Sequence, residues 1–253
     1  MNSPSVGIVI PIIQTRYIFK LLDKIKSIIN NKYVICVVND GNQKINKYLE
    51  KKLSQNIELL NLDKNLCFAG ANNSGWKYLI NKYPSIKYLG TINDDTIPDS
   101  NWIQFMESTL RRNPNVAACS PGMITYNGIF KNKKKYYSIW KLGDKKNPMI
   151  LDRDRITDDT YVSVFSGFCF LAKVNVLQEI NFFDEKYKNS CEDIDLCLKI
   201  RKKNYDLMVT ANTYVAHYGG RSRFKYKLNT NIQESRKVLI DKWGEDLKKY
   251  NLD

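Results

Sequence analysis

The chain has 253 residues, 43% of them hydrophobic and 26% charged, a balance that excludes disordered, fibrous and low-complexity proteins and fits a folded one. Its 40 Lys and Arg outnumber 26 Asp and Glu, leaving a formal net charge of +14 that any account of function must set against a partner. The six cysteines, at 36, 67, 119, 169, 191 and 197, form no C-x-x-C pair and no Cys/His spacing of a structural zinc site, so they are expected as small buried apolar residues of a protein in a reducing compartment.

Val6 to Ile13 reads as a first strand, with Pro11 near its end. From Tyr17 to Asn30, Ile18, Leu21, Leu22 and Ile25 recur at helical spacing and mark the apolar face of a crossover helix. The apolar run Tyr33 to Val38 has the character of a strand covered on both faces, and the turn signal Asn39-Asp40-Gly41 stops it. Ile57 to Leu62 follows as a third strand, Ala71 to Asn81 as a helix, and Tyr88 to Ile92 as a fourth strand that runs directly into Asn93-Asp94-Asp95. This alternation is the pattern of βαβ units around a parallel sheet. Open parallel sheets bind ligands beyond the carboxyl ends of their strands, so Asp40 and the Asp94-Asp95 pair are expected at one site. Past residue 100 come a helix, Trp102 to Arg112, a strand, Val116 to Tyr126, and a Lys- and Asn-rich stretch from 130 to 160 that reads as a flap. Order resumes at Tyr161, and the last clear element is a helix from Ile232 to Tyr250.

Four constellations could carry chemistry. Asn93-Asp94-Asp95-Thr96 puts adjacent carboxylates on a tight turn; hard divalent cations take oxygen ligands and complete their shell with water and phosphate, although an Asp-rich turn closed by Pro98 is also ordinary turn chemistry. Cys191-Glu192-Asp193-Ile194-Asp195 opens a helix with acids in its first turn, bases in its last and Asn204 suited to follow it. Its carboxylates either offset the helix dipole or project a general base. The only histidine, His217, ends an apolar segment before Tyr218-Gly219-Gly220, a context in which a side chain can reach an ion and the backbone can come close. Asn65 to Gly75 is a loop-to-helix transition whose small residues either admit a nucleotide or pack tightly under a helix.

In this order the segments resemble family 2 glycosyltransferases of GT-A fold, especially rhamnosyltransferase-like members. The matching stretches are Val9-Ile10-Pro11, Val37 to Gly41, Asn65 to Gly75, Asn93 to Thr96, Phe182-Phe183-Asp184-Glu185, Glu192 to Leu196 and His217 to Gly220. The resemblance implies an α/β fold with a Rossmann-like, mostly parallel central sheet flanked by helices. It implies one domain, with a nucleotide-sugar-binding half at 1–100, an acceptor and catalytic half at 101–227 and a C-terminal helix at 228–253. Pro11, Asp40, Asn65, Asn93 and Asp94 would bind the nucleotide sugar, Asp95 and His217 would hold Mn²⁺ or Mg²⁺, Asp193 would be the general base and Glu192 would bind the acceptor. The implied activity is inverting, metal-dependent transfer of one sugar from dTDP-rhamnose or a UDP-sugar to a glycan or lipid-linked acceptor in polysaccharide or glycoconjugate biosynthesis. The chain departs from the family where Ile12-Ile13-Gln14 follows Pro11, where Cys67 stands for a usual glycine and where Asn93 begins the acidic turn.

A nucleotidyltransferase shares a nucleotide-binding sheet and carboxylate-held metal, but Val6 to Arg16 has no glycine after Gly7 to make the usual phosphate loop. A nucleic-acid-binding protein is suggested by the charge and by the interleaved basic and aromatic residues from Arg221 to Lys227, without a nucleic-acid fold signature. Nucleic acid is therefore not the expected partner. The clusters at Lys131, Lys133, Lys134 and Lys135 and at Arg221, Arg223, Lys225 and Lys227 fit a field that draws in an anionic nucleotide sugar and allows peripheral contact with an anionic membrane. The start Met-Asn-Ser-Pro has no signal-peptide pattern and no apolar run approaches membrane-spanning length, so the expected location is cytoplasmic.

Overall fold

The structure, a computed structural model, describes residues 3–26, 32–53, 57–125, 137–142, 149–152, 158–218, 232–244 and 246–250. In chain order the first elements are β1 (Val6–Ile12), α1 (Ile18–Ile25), β2 (Tyr33–Asn39), α2 (Asn46–Lys52), β3 (Ile57–Asn61), α3 (Cys67–Lys82) and β4 (Tyr88–Ile92). There follow β5 (Thr96–Pro98), α4 (Trp102–Arg112), β6 (Val116–Thr125), β7 (Tyr137–Leu142), β8 (Met149–Asp152), β9 (Thr160–Tyr161) and β10 (Cys169–Lys173). The chain then runs through α5 (Val174–Glu179), α6 (Glu192–Lys202), β11 (Asp206–His217) and α7 (Ile232–Trp243).

Strand periodicity decides what covers each face of the sheet. Val6, Ile8, Ile10 and Ile12 of β1 and Tyr33, Ile35 and Val37 of β2 join one apolar cluster with α1, Leu49 of α2 and the buried face of α4. Val9, Val34, Cys36 and Val38 point the other way and pack with α3, α5, α6 and α7. The sheet order is β3-β2-β1-β4-β10-β6-β11-β5. Its β3-β2-β1-β4 half is parallel, as the βαβ pattern predicts. The other half is mixed: β10 runs antiparallel to both β4 and β6, while β11 is parallel to β6 and antiparallel to β5.

The predicted elements stand with changed boundaries. The first helix ends as α1 at Ile25, and residues 27–31 lie outside the described ones. The helix expected from Ala71 begins at Cys67, because side-chain oxygens take the N–H groups at its start. Asp40 Oδ1 accepts from Leu66 N at 2.7 Å, Asn65 Oδ1 from Cys67 N at 3.0 Å and Asn189 Oδ1 from Phe68 N at 2.8 Å. The two glycines of that stretch serve packing: a Cβ on Gly75 would lie 2.7 Å from a Val9 methyl, and one on Gly70 would lie 2.6 Å from Leu66 Cβ. Of the two readings of Asn65 to Gly75, tight packing describes its glycines.

The acid-led helix forms as α6, and Asn204 follows it at φ 62, in the left-handed conformation that closes a helix. The last helix stops at Trp243, with a short 3₁₀ turn at Lys248–Tyr250 in place of its expected continuation. Within the 130 to 160 flap, β7 and β8 pair antiparallel. Both basic clusters, 131–135 and 221–227, and Gly219-Gly220 lie outside the described residues. All six cysteines are free and only Cys67 is not buried. Among the described residues no helix is long and apolar enough to cross a membrane.

Candidate functional site

The carboxyl ends of β1, β2 and β4 open into a cleft of about 320 Å³. Pro11, Asp40, Asn65, Asn93, Asp94, Asp95, Glu192, Asp193 and His217 all line it. The nine residues to which the family resemblance assigns a role in the site are thus brought to one place. In the sheet, β2 and β10 stand on either side of β1 and β4, so Asp40, after β2, and Gly167, before β10, flank the Asp94-Asp95 turn.

On the β2 side, Asp40 is 7% exposed and accepts the Leu66 N–H at 2.7 Å. Burial pushes its pKa up to about 6, against the lowering effect of the Leu66 and Cys67 N–H groups. Asn65 donates from Nδ2 to the Asp40 carbonyl at 3.4 Å. The two segments meet closely because residue 41 is glycine at φ +80, where a Cβ would fall 2.3 Å from Asn65 N.

At the centre, Asp94 and Asp95 are 8% and 5% exposed. Burial, reinforced by the Asp95 charge, pushes the Asp94 pKa up to about 8, and Asp94 Oδ2 has no hydrogen-bond partner among the described residues. Asp95 Oδ1 stands 3.2 Å from His217 Nε2, which is also 3.3 Å from Asn93 Nδ2. The β11 ladder sets His217 opposite Thr96, and Phe168 stacks on the imidazole at 5.1 Å and 15°. Two donor atoms 3.2 Å apart can occupy neighbouring positions on one cation with ligand distances of about 2.1 Å. The orphaned Asp94 oxygen is a further candidate ligand. Among the described residues no group of three His, Cys, Asp or Glu could hold an ion by itself, so water or a phosphate would have to complete the shell, as is usual for Mg²⁺.

On the β10 side, Asp193 accepts the Gly167 N–H at Oδ2, 2.8 Å, and the Ile194 N–H at Oδ1, 2.9 Å. Both carboxylate oxygens are thereby fixed in direction by backbone. The Gly167 Cα passes so near that a Cβ would lie 3.1 Å from Asp193 Cβ. Glu192 is 6% exposed and lines the cleft beside Asp193. The third acid of the helix start, Asp195, is turned wholly inward and hydrogen-bonds Tyr187 and Trp243.

Phe68, from the Asn65 to Gly75 stretch, also lines the cleft, together with Ser166, Gly167, Phe168 and Asn189, which no sequence reading singles out. Ser166-Gly167 before the short apolar run Phe168 to Ala172 was the available signal, a turn leading into a buried strand. Nothing local marks Asn189, whose role depends on a partner 121 residues away.

The family described as Glycosyl transferase family 2 matches residues 8–180. No curated protein sequence matches the chain. A crystal structure of GalNAc-T7 with UDP, GalNAc and Mn²⁺ superposes with a TM-score of 0.73 at 11% identity, over 97% of this chain and 49% of that one. The crystal structure of S. aureus TarS 1–349 superposes with a TM-score of 0.57 at 13% identity, over 96% of this chain and 73% of that one. At such identities the likeness is one of fold, and this chain spans about half the length of the GalNAc-T7 chain.

Proposed function

Because the chain belongs to the family 2 glycosyl transferases and has their GT-A fold, we propose that it transfers a single sugar, with inversion, from a nucleoside diphosphate donor to an acceptor hydroxyl. The observation that carries this reading is the convergence of Asp40, the Asp94-Asp95 turn, His217 and the Glu192-Asp193 pair on one cleft. Asp40, Asn65 and Pro11 hold the nucleoside, and Asn93 and Asp94 meet the ribose or the sugar. Asp193 takes the proton of the acceptor hydroxyl as that oxygen attacks the anomeric carbon from the face opposite the leaving group, while Glu192 orients the acceptor. Asp193 enters this step already aimed, since Gly167 and Ile194 hold its two oxygens.

Asp95 and His217 would hold Mn²⁺ or Mg²⁺ beside the diphosphate. Bound there, the ion offsets the negative charge that the leaving diphosphate gains. The Mn²⁺ and UDP in the GalNAc-T7 complex support this choice of cofactor and donor class. Within that class the donor is a UDP-sugar or dTDP-rhamnose, and the acceptor is a glycan or a lipid-linked glycan in polysaccharide or glycoconjugate assembly. The division of labour runs along the chain, with nucleotide-sugar binding in 1–100, acceptor binding and catalysis in 101–227 and a C-terminal helix in 228–253. The net charge of +14 favours anionic substrates and peripheral contact with an anionic membrane, and we read the enzyme as cytoplasmic.

Incubation with Mn²⁺ and a panel of nucleotide sugars tests the reading. The expected product is nucleoside diphosphate, lost on chelation; pyrophosphate would indicate nucleotidyl transfer instead. Asp193→Ala should slow transfer by about 10²- to 10⁴-fold while nucleotide binding persists, and an Asp193→Ala protein as active as wild type removes Asp193 as the base.

A further inference from the structure

The residues that aim Asp193 extend beyond the cleft. The segment from Phe182 to Asp195 lies past residue 180, where the family match ends, and it is fastened on two sides. On the α3 side, the Asn73 amide donates to the Phe183 carbonyl and accepts from the Phe183 N–H, both at 3.0 Å, and also donates to Glu185 Oε1 at 2.9 Å. Phe68 N–H reaches Asn189 Oδ1 at 2.8 Å. On the α7 side, Ser235 Oγ accepts the Lys188 N–H at 3.2 Å. Lys242 Nζ bridges Asp184 Oδ2 at 2.9 Å and Asp195 Oδ1 at 2.8 Å, and Trp243 Nε1 donates to the same Asp195 oxygen at 2.8 Å. Tyr187 adds its hydroxyl at 3.2 Å.

Asp195 has no exposed surface. A buried carboxylate with an ammonium and two further donors on one oxygen is stiff, because any displacement leaves a charge unpaired in apolar surroundings. Two residues earlier on the same helix sits Asp193. Between the α3 fastenings and α6, Asn189 and Cys191 are held at φ 59 and φ 66, left-handed conformations that persist in non-glycine residues where their surroundings enforce them. Asn189, Glu192 and Asp193 all line the cleft.

We propose that α7 is a brace for the general base: Asp195, Trp243 and Lys242 are positioning residues that set the first turn of α6 and, through it, the aim of Asp193 and Glu192 at the acceptor oxygen. This rests on the reading of Asp193 as the base. Trp243→Phe keeps an aromatic ring and deletes the N–H that holds Asp195. The expected result is a fall in kcat of about tenfold, given the sensitivity of reacting geometry to small misplacements, with donor KM and UDP or dTDP binding within about twofold of wild type. Amide hydrogen exchange across residues 189–195 should quicken while β1 to β4 keep their protection. Lys242→Met, which leaves the indole in place, should give the same separation even if Trp243→Phe folds poorly.

Wild-type exchange at 189–195 together with wild-type kcat in both variants overturns the brace. A parallel loss of kcat, nucleotide binding and thermal midpoint also overturns it, because that is the result of general structural support. Should the wild-type protein transfer no sugar at all, the reading of the cleft fails, and exchange then decides alone: quickening confined to 189–195 supports the brace and unchanged exchange rejects it.

Discussion

The cleft has an Asp40 side and an Asp193 side, and they are built on different principles. Asp40 follows directly from the end of β2, and its partners Leu66 and Asn65 belong to the next βα connection. The glycine beside it does the local work of bringing two turns into contact. Asp193 stands on a helix whose fastenings reach across the fold, to Gly167 before β10, to α3 through Asn73 and Asn189, and to α7 through Asp195. One side is therefore specified by neighbouring sequence, the other by distant side chains meeting. Substitutions on the Asp40 side should act where they are made, and substitutions on the Asp193 side should act through geometry.

The largest effect expected is at Gly41. Gly41→Ala puts a Cβ 2.3 Å from Asn65 N at φ +80, a backbone clash in a conformation that disfavours side chains, and should cost about 3 kcal/mol or more of stability. Thermal midpoint and nucleotide binding should fall together; loss of neither would break the claim of local specification.

Next is Asp40→Asn, whose effect depends on pH. Burial raises the Asp40 pKa from an ordinary 3.8 to about 6, so the folded chain keeps a proton that the unfolded chain has released in that window. The stability linked to this proton is complete below pH 4 and is lost as pH rises through 6. A carboxamide at this position has no such proton to release and escapes that loss. The variant should match wild type in urea unfolding near pH 4 and exceed it at pH 8 by up to about 3 kcal/mol, even as its nucleotide affinity drops.

The smallest effect expected is the sharpest test of the Asp193 side. Gly167→Ala sets a Cβ 3.1 Å from Asp193 Cβ and 3.4 Å from Phe68 Cε1, so the base must shift by a few tenths of an ångström. Transfer should slow by about tenfold with nucleotide affinity unchanged, read from kcat beside a UDP titration. Equal losses in both would make the two sides one unit.

The same contrast explains what could be read from the sequence. The strands β1, β2 and β4 and the helices α4 and α6 declare themselves by period and turn residues, and Asp40, Asp94 and Asp95 sit where those strands end. The antiparallel entry of β10 was not legible, since five residues, Cys169–Lys173, carry no sign of direction. Helix pattern and spacing by themselves do not separate Asp193 from Asp195; only the family resemblance singles out Asp193. Both are acids in the first turn of one helix, and distant groups distinguish them: Tyr187, Trp243 and Lys242 hold Asp195 inward, while the Gly167 N–H holds Asp193 at the cleft.

The reversed strand β10 also has a consequence in time. The β1-β2-β3-β4 pairings need nothing beyond Ile92, whereas the cleft also needs strands and a helix that follow much later in the chain. Cys169 must return to Ile92, and His217 must come within reach of Asn93, which precedes it by 124 residues. Trp243 comes later still. During synthesis the parallel half can therefore exist while the cleft does not, and capacity for chemistry arrives only with the last quarter of the chain.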